Sequence, residues 1–218
     1  MTNNRSGRAA IRLQNVGHHF PGQAWLFRSI TQEFLPGRSY ALTGPSGSGK
    51  STLLSLIAGW ESPREGTIHR AEEASVKWVF QNPHGVRNRL ARDHVLLPLL
   101  ARGMTRTRAV VAADQYLESV GLSNSADKRF AELSGGEAQR LMLARGLAAA
   151  PDVLLVDEPT AQLDFATGET VNKALVSLKK NSSTVIVATH DERTRSACDE
   201  YVDLARFALA FGGSDETF

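Results

Sequence analysis

The chain has 218 residues, of which 42% are hydrophobic, and this is enough to bury the core of one α/β domain. A net charge of +2, from 25 basic and 23 acidic residues, gives no reason to expect nucleic-acid binding. The single cysteine, Cys198, cannot form an intramolecular disulfide, which fits a reducing compartment. The sequence shows no apolar leader and no run of roughly 18–20 apolar residues, so another chain must supply any membrane spans.

The first third of the chain predicts strands around one helix. Turn signals at Pro21-Gly22 and Pro36-Gly37 separate the apolar runs. Ile11, Leu13 and Val16 are expected to share a buried face of the first strand. The predicted elements are the strands Ile11–Val16, Phe27–Phe34, Tyr40–Thr43 and Val76–Phe80, and the helix Lys50–Ala58, which stops at Gly59.

Helical spacing of leucine and valine dominates residues 82–132, where Gly103 and Gly121 interrupt the runs, and this stretch is predicted to be a helical insertion. Beyond it, helices and apolar strands alternate again. This alternation predicts an α/β fold with a largely parallel sheet that is covered on both faces. The later predicted elements are the helices Ser134–Ala149 and Thr167–Lys180 and the strands Val153–Val156 and Thr184–Ala188.

A glycine-rich loop stands between the strand Tyr40–Thr43 and the helix Lys50–Ala58. Its glycines let successive backbone N–H groups curl around an anion, and the helix N-terminus adds partial positive charge. Lys50 would reach the β- and γ-phosphates, Ser51 would hold Mg²⁺, and Thr52 would assist at the α-phosphate. The alternative is a Gly/Ser-rich turn that matches by chance. The loop consists of Gly44, Pro45, Ser46, Gly47, Ser48, Gly49, Lys50 and Ser51, and fits G-x-x-x-x-G-K-[ST].

The apolar strand Val153–Val156 is followed by two carboxylates, Asp157 and Glu158. A magnesium–phosphate site would account for acids at this position. Asp157 would hold the ion through water. Glu158 would point the other way along the pleat and accept a proton from the attacking water. Two solvated acids in a loop would explain the same residues without any function.

The stretch Leu133-Ser134-Gly135-Gly136-Glu137 carries an S-x-x-E capping box, and its two glycines leave backbone N–H groups uncovered. This predicts a second anion site at a helix N-terminus, although a well-started helix explains the capping box alone. Together with Gln139 and Arg140, which complete the string LSGGE-x-QR, this stretch resembles the signature of the ABC ATPase family.

Further motifs of that family follow in order over nearly the whole chain. Gln81 matches the Q-loop glutamine, Asp164 the D-loop aspartate and His190 the switch histidine. The resemblance implies a P-loop NTPase with a RecA-like core sheet, a small antiparallel β subdomain and a helical insertion. It also implies one ABC ATPase domain over residues 1–218, with a helical subdomain at about 82–132.

The resemblance implies ATP and Mg²⁺ as ligands and two chains arranged head to tail, each ATP lying between the P-loop of one and the signature of the other. A transmembrane permease would be the further partner, and the chain would lie at the cytoplasmic face of the membrane. The implied catalytic residues are Glu158, His190, Gln81 and Lys50. The implied metal ligands are Ser51, Gln81 and Asp157. The implied ATP-binding residues are Phe20, Gly44, Ser46, Gly47, Ser48, Gly49, Lys50, Ser51, Thr52, Ser134, Gly135, Gly136, Glu137 and Asp164.

The chain departs from the family at three places. Where a tyrosine usually stacks on adenine it has Gly17-His18-His19-Phe20, and we assign the stacking to Phe20; the alternatives are that Phe20 is a core residue or that His19 stacks. Gln162 stands where a small residue or asparagine is usual, which could alter dimer contacts. The stretch of residues 66–76 is short, so the antiparallel β subdomain is expected to be small.

Residues 93–103, DHVLLPLLARG, resemble the ENVxLPLLxRG stretch of a subgroup that includes lipoprotein-release, macrolide-export, haem-export and cell-division ATPases. This favours export or extraction of an amphiphilic substrate, although a Pro-kinked core helix explains the same residues. An ATPase that controls cell-wall remodelling without transport is an open alternative. A nucleotide-sensing module that does not turn over is a third, and intact Glu158 and His190 argue against it.

Overall fold

The structure of the protein is a computed structural model that describes residues 10–71, 73–161, 163–177 and 182–208. Eight strands and six α-helices lie in those ranges. The strands are β1 (Ile11–His18), β2 (Phe27–Phe34), β3 (Ser39–Thr43), β4 (Glu65–Arg70), β5 (Val76–Val79), β6 (Val153–Asp157), β7 (Thr184–Ala188) and β8 (Glu200–Asp203). The helices are α1 (Lys50–Ala58), α2 (Ala91–Ala101), α3 (Arg106–Ser119), α4 (Gly135–Ala149), α5 (Phe165–Ser177) and α6 (Glu192–Ala197).

Five parallel strands form the central sheet, in the order β5-β6-β7-β3-β8. Every residue of β6 and β7 is buried, as expected for parallel strands covered on both faces. A separate antiparallel sheet has the order β2-β1-β4. The predicted α/β fold with a small antiparallel part is confirmed.

Alternate residues of the central strands contribute to two different cores. Leu154 and Val156 of β6 pack with α4, α5 and the helices of the insertion. Val153 and Leu155 of the same strand pack with α1 and the antiparallel sheet. Side chains of successive strand residues point to opposite faces, so one apolar strand supplies both cores. The covering of the sheet therefore follows directly from the uninterrupted apolar sequence of β6.

A bulge in β1 decides which of its side chains are buried. Ile11 and Leu13 face the core at the normal spacing of two, and Val16, three residues further on, is buried beside them. The pairing of β1 with β2 shifts between Leu13 and Val16, and Asn15 has a φ of 48°. The extra residue turns Val16 back to the core face. The predicted shared face of the first strand is present.

The helical insertion consists of α2, α3 and the connection that follows, packed against α4. Pro98 lies inside α2 and leaves the helix continuous to Ala101. The longest described helix, α4, has 15 residues. None of the helices in the described ranges has both the length and the apolarity that a bilayer span needs.

Several boundaries differ from the predictions. The helix predicted at Thr167–Lys180 begins two residues earlier, because Asp164 accepts hydrogen bonds from the Thr167 amide and hydroxyl and so caps the first turn. Residues 178–180 of that prediction lie outside the described residues. The strands β4 and β8 and the short helix α6 were not predicted. β4 and β8 are edge strands with polar residues and no clear alternation, so their pairing partners decide their conformation.

Two helical glycines provide a paired test of core packing. A Cβ on Gly146 of α4 would lie 2.9 Å from a methyl carbon of Val79, whereas a Cβ on Gly168 of α5 would meet nothing nearer than 3.8 Å. We expect Gly146→Ala to lower the free energy of unfolding by about 1 kcal/mol through overpacking, and Gly168→Ala to raise it by up to about 1 kcal/mol through helix propensity. Urea unfolding of both variants checks this, and shifts of the same sign would contradict the packing described here.

Candidate active site

Three residues at the carboxyl ends of neighbouring strands in the central sheet are in register. Leu42 of β3 pairs with Ala188 of β7, and Ala188 pairs with Asp157 of β6. The glycine-rich loop begins two residues after Leu42, and His190 stands two residues after Ala188. Because parallel strands end at the same edge, the loop, the two acids and the histidine meet there.

The glycine-rich loop takes a course that side chains would block. Gly44, Gly47 and Gly49 have φ values of 140°, 79° and 89°, in the region that favours glycine. A Cβ on Gly44 would lie 2.7 Å from the Ser48 hydroxyl oxygen. A Cβ on Gly49 would lie 2.8 Å from the ring of Phe27. The backbone of the loop therefore runs close to its neighbours and leads directly into the N-terminus of α1.

The side chain of Lys50 is held inside this loop. Its ammonium donates hydrogen bonds to the carbonyl oxygens of Gly44 (2.9 Å) and Pro45 (3.2 Å), and the residue is only 9% exposed. An ammonium has three donors, so one remains for an anion in the loop. Lys50 and the N-terminus of α1 together provide concentrated positive charge at the predicted phosphate position.

Asp157 ends β6 beneath the loop and is 6% exposed. Burial raises the pKa of its carboxyl group, the Ser51 hydroxyl beside it and the charge of Lys50 lower it, and the charge of Glu158 raises it. Its Oδ1 atom is buried and has no hydrogen-bond partner among the described residues. A buried carboxylate oxygen next to a hydroxyl is a donor set that suits Mg²⁺, so the residues present fit the implied ion.

Glu158 points to the histidine for a reason different from the one predicted. The sequence suggested that the pleat would turn its side chain away from Asp157, but Glu158 lies beyond the end of β6 with a φ of 48°. The left-handed backbone, rather than strand alternation, redirects the carboxylate. Its Oε2 atom lies 2.9 Å from Nδ1 of His190, close enough for an ion pair although the angle is not that of a hydrogen bond.

The exposure of these two side chains differs: that of Glu158 is 11% exposed and that of His190 is 66% exposed. Buried polar contacts hold the loops behind them. The Thr160 hydroxyl donates to the carboxylate of Asp191, and the Asp191 amide donates to the Thr189 hydroxyl. The turn after β6 and the turn after β7 are therefore fixed to each other, and an exposed imidazole is presented to solvent from a rigid base.

An open cavity of about 660 Å³ connects these groups. Phe20 lines this cavity. His19 does not line it, and its ring packs edge-on against Trp25 with the ring centroids 4.5 Å apart. Phe20 is half-buried and so is not an enclosed core residue. Sequence analysis missed Gln23 and Leu26, which also line the cavity; both lie in the turn after Pro21-Gly22, and no motif marks them. The predicted residues in the lining are Phe20, Gly44, Ser46, Gly47, Gly49, Lys50, Ser51, Thr52, Gln81, Asp157, Glu158 and His190.

The signature stretch forms the predicted capping box. Ser134 is the N-cap of α4: its hydroxyl accepts from the Glu137 amide at 3.2 Å, and its own amide donates to Glu137 Oε2 at 2.9 Å. The other oxygen of Glu137 accepts from the Ser125 hydroxyl at 2.6 Å and from Lys128 at 3.1 Å. Both oxygens are used within the chain, so Glu137, predicted to bind ATP, here holds the start of the helix.

Hydrogen bonds to its carboxylate lower the pKa of Glu137 to about 2, the Ser125 hydroxyl contributing most and the Ser134 amide next. Ser134 and Gly135 are exposed. The N-terminus of α4 is therefore held in place by Glu137 and lies at the protein surface. Exposed helix N-termini are common anion-binding positions.

The signature and the glycine-rich loop do not share a cavity in one chain. No signature residue lines the 660 Å³ cavity. Gly136 lines a separate cleft of about 20 Å³, together with Gln81, Glu158 and Leu163. Asp164 uses its carboxylate to cap α5 and lines neither space. Gln162 lies outside the described residues.

Comparison with known proteins places these features in a family. A family model described as "ABC transporter" matches residues 27–161. The chain is 34% identical over 204 residues to the lipoprotein-releasing system ATP-binding protein LolD 1 of Rhodopirellula baltica, covering 86% of this chain and 89% of the relative. It is 38% identical over 189 residues to the uncharacterized ABC transporter ATP-binding protein YbbA of Escherichia coli K12, covering 79% of this chain and 83% of that protein.

Solved structures agree with the architecture. One is a dimeric, post-hydrolysis state of the ATP-binding cassette MJ0796 bound to ADP and Pi, with a TM-score of 0.77 at 27% identity, covering 88% of this chain and 93% of that chain. Another is an inward-facing conformation of a metal-chelate type ABC transporter, with a TM-score of 0.76 at 27% identity, covering 90% of this chain and 80% of that chain.

The low pKa of Glu137 has a measurable consequence. Its folded-state pKa of about 2 lies below the ordinary value of 4.5, so its ionised form stabilises the fold above pH 4.5, and this stabilisation is lost as pH falls from 4.5 toward 2. We expect Glu137→Gln to be less stable than the parent chain at neutral pH and the difference to shrink in that acid window. Urea unfolding across pH measures it; a difference that stays constant down to pH 3 would rule out the ionised capping box.

Proposed function

The chain belongs to the ABC transporter ATP-binding family and is an ATPase, and from that premise we propose that it powers a separate transmembrane permease. We further propose that residues 1–218 act as one ATPase domain with a helical subdomain at about 82–132. One observation carries the proposal: a single cavity holds the phosphate loop together with Asp157, Glu158 and His190.

The hydrolytic role follows from the position of each group. Lys50 and the amides of the loop bind and orient the phosphates, so the reaction depends mainly on positioning and charge stabilisation. Glu158 accepts a proton from the attacking water at its carboxylate. His190, 2.9 Å from that carboxylate, orients it and contacts the γ-phosphate. Phe20, which lines the same cavity, stacks on the adenine.

The chain provides the residues for a magnesium ion. Ser51, Asp157 and Gln81 would hold it, and the bound ion supplies charge neutralisation of the phosphate oxygens. The buried Oδ1 of Asp157, which lacks a hydrogen-bond partner among the described residues, supports this proposal. Gln81 lies in a bend just after β5 and contributes to both the large cavity and the small cleft.

The separation of the signature from the phosphate loop supports a head-to-tail pair of chains. Ser134 and Gly135 are exposed, and none of Ser134, Gly135 and Gly136 lines the cavity of its own chain. A two-fold axis would place them over the cavity of a second copy and create two equivalent sites. The MJ0796 structure is described as dimeric, which is consistent with this arrangement.

A groove of about 370 Å³ between β5, α2 and α4 supports a docking site for the permease. It is mainly apolar and includes Trp78, Phe80 and the half-exposed Leu97, while Lys77 and Arg145 add positive charge. Trp60, 66% exposed, stacks beside Trp78 and Phe80 and extends the apolar surface. We propose that a cytoplasmic helix of the permease, with an apolar face and an acidic end, binds here.

Export or extraction of an amphiphilic substrate is the direction we propose. Residues 93–103 resemble the subgroup described above, and several relatives are named as lipoprotein-releasing ATP-binding proteins. The chain would lie at the cytoplasmic face of the membrane through its permease. Regulation of a membrane partner without transport is the competing outcome: it would show ATPase stimulation by the permease with no compound moved or extracted.

The proposed base gives a direct test. We expect Glu158→Gln to bind ATP with unchanged affinity and to lose at least about 100-fold in turnover, because the proton acceptor is removed while the phosphate contacts remain. Nucleotide binding and phosphate release on the full chain measure the two effects. Wild-type turnover in this variant would remove Glu158 from the role of base.

The docking groove is tested by two matched substitutions on the helical insertion. Leu97, 51% exposed on α2, lines the groove, whereas Val111, 57% exposed on α3, does not. We expect Leu97→Glu to weaken co-purification with the permease at least about tenfold, because a charge is desolvated in the interface, and Val111→Glu to leave it unchanged. Equal loss in both variants would place the permease elsewhere.

A further inference from the structure

His94, in the first turn of α2, is 4% exposed and makes two hydrogen bonds that together determine its protonation state. Its Nδ1 atom lies 2.8 Å from the carbonyl oxygen of Leu90, and its Nε2 atom lies 2.9 Å from the amide nitrogen of Val86. A carbonyl can only accept and an amide N–H can only donate. Both bonds form only in the neutral imidazole that carries its proton on Nδ1.

The Val86 bond secures the segment that follows Gln81. Residues 82–90 connect the bend at Gln81 to the start of α2 and contain no regular element. Gly85, next to Val86, lies so close to Phe130 that a Cβ there would come within 2.3 Å of the ring. The His94 ring also packs on Phe130, with centroids 5.5 Å apart. The His94 ring therefore contacts both Val86, in the segment after Gln81, and Phe130, which lies shortly before the signature stretch.

Phe130 opens a 3₁₀ turn, Phe130–Glu132, that leads directly to Ser134. Backbone hydrogen bonds pair this region with the segment after Gln81 in antiparallel fashion. The bonds run from the amide of Phe130 to the carbonyl of Arg89 (2.9 Å), from Ala131 to Arg87 (3.1 Å) and from Ala91 to Lys128 (2.8 Å), and Leu90 and Arg129 form an antiparallel bridge. The two segments thus form one paired unit, and His94 lies at its inner side.

We propose that His94 is a positioning residue for ATP hydrolysis: its neutral imidazole, bonded to Val86 and packed on Phe130, strengthens the backbone pairing of the segment after Gln81 with the segment before Ser134, so that both shift together. A displacement of Gln81 would then be transmitted to the N-terminus of α4, which in the proposed pair of chains would contact the ATP bound by the partner chain. The inference rests on the role proposed for Gln81 and not on the identity of any permease.

Protonation of His94 removes the Val86 hydrogen bond, because Nε2 would become a donor facing the Val86 N–H, and the pairing of the two segments then depends on the backbone hydrogen bonds alone. Burial lowers the pKa of His94 from its ordinary 6.5; the bond to Leu90 opposes this, the charges of Arg145 on α4 and Arg89 on the paired segment lower it further, and Asp93 on α2 raises it. The Val86 bond is therefore intact at neutral pH and is lost only as pH falls below 6.5 and through the lowered pKa of His94.

Two substitutions separate this role from a packing role. His94→Gln places an amide oxygen about where Nε2 lies, so it keeps an acceptor for Val86 and cannot titrate; His94→Leu has similar bulk and no acceptor. For the full chain, at a concentration where turnover per chain no longer rises, we expect the leucine variant to lose about fivefold in kcat with KM for ATP unchanged. The glutamine variant should retain kcat within about twofold and show a smaller decline at acid pH than the parent chain.

A spectroscopic readout is independent of activity. Nitrogen chemical shifts of the His94 ring in the full chain should show Nδ1 protonated and Nε2 unprotonated at neutral pH. A ring protonated on Nε2, or on both nitrogens, would overturn the proposal, as would equal kcat in the glutamine and leucine variants. Gln81→Ala tests the underlying premise separately: unchanged turnover there removes the role of Gln81, while the tautomer measurement still reports on the His94 connection.

Discussion

The structure depends on a parallel sheet whose strands end together at one edge. The pairing of Leu42, Ala188 and Asp157 across β3, β7 and β6 brings three distant parts of the chain into register. The turns that follow these strands carry the glycine-rich loop, the acidic pair and His190. Because both faces of β6 and β7 are buried, this edge is rigid, and charged groups can be held there at defined separations.

A buried carboxylate and a buried ammonium group lie near each other at this end of the sheet. Asp157 is buried, and its pKa is raised mainly because burial penalises the charged form. Lys50 is also buried but makes two hydrogen bonds to the loop carbonyls. A site with one constrained cation and one poorly solvated carboxylate favours a ligand that brings both a metal ion and phosphate charge. The chemistry of ATP with Mg²⁺ meets both demands.

The signature stretch is arranged by different physics. One carboxylate oxygen of Glu137 accepts from the Ser134 amide at the start of α4 and the other accepts from Ser125 and Lys128, so the helix N-terminus is held against the segment before it. In the head-to-tail pair of chains proposed above, its position outside the cavity would make each active site composite. The segment that His94 contacts pairs with the approach to this stretch, so within each chain it would connect residues that belong to two different ATP sites.

The sequence by itself determined the fold class, because apolar runs of strand length alternate with segments of helical spacing. It also indicated the chemistry of the site, because the loop glycines, the lysine at the end of that loop and the paired acids are residue types that a phosphate and metal site requires at these spacings. Only the tertiary structure decided the rest. The left-handed backbone of Glu158, the lining residues Gln23 and Leu26 and the edge strands β4 and β8 depend on neighbours far away in sequence. The two hydrogen bonds of the His94 ring could not be predicted from the sequence either, because both partners are backbone groups that carry no residue-specific signal.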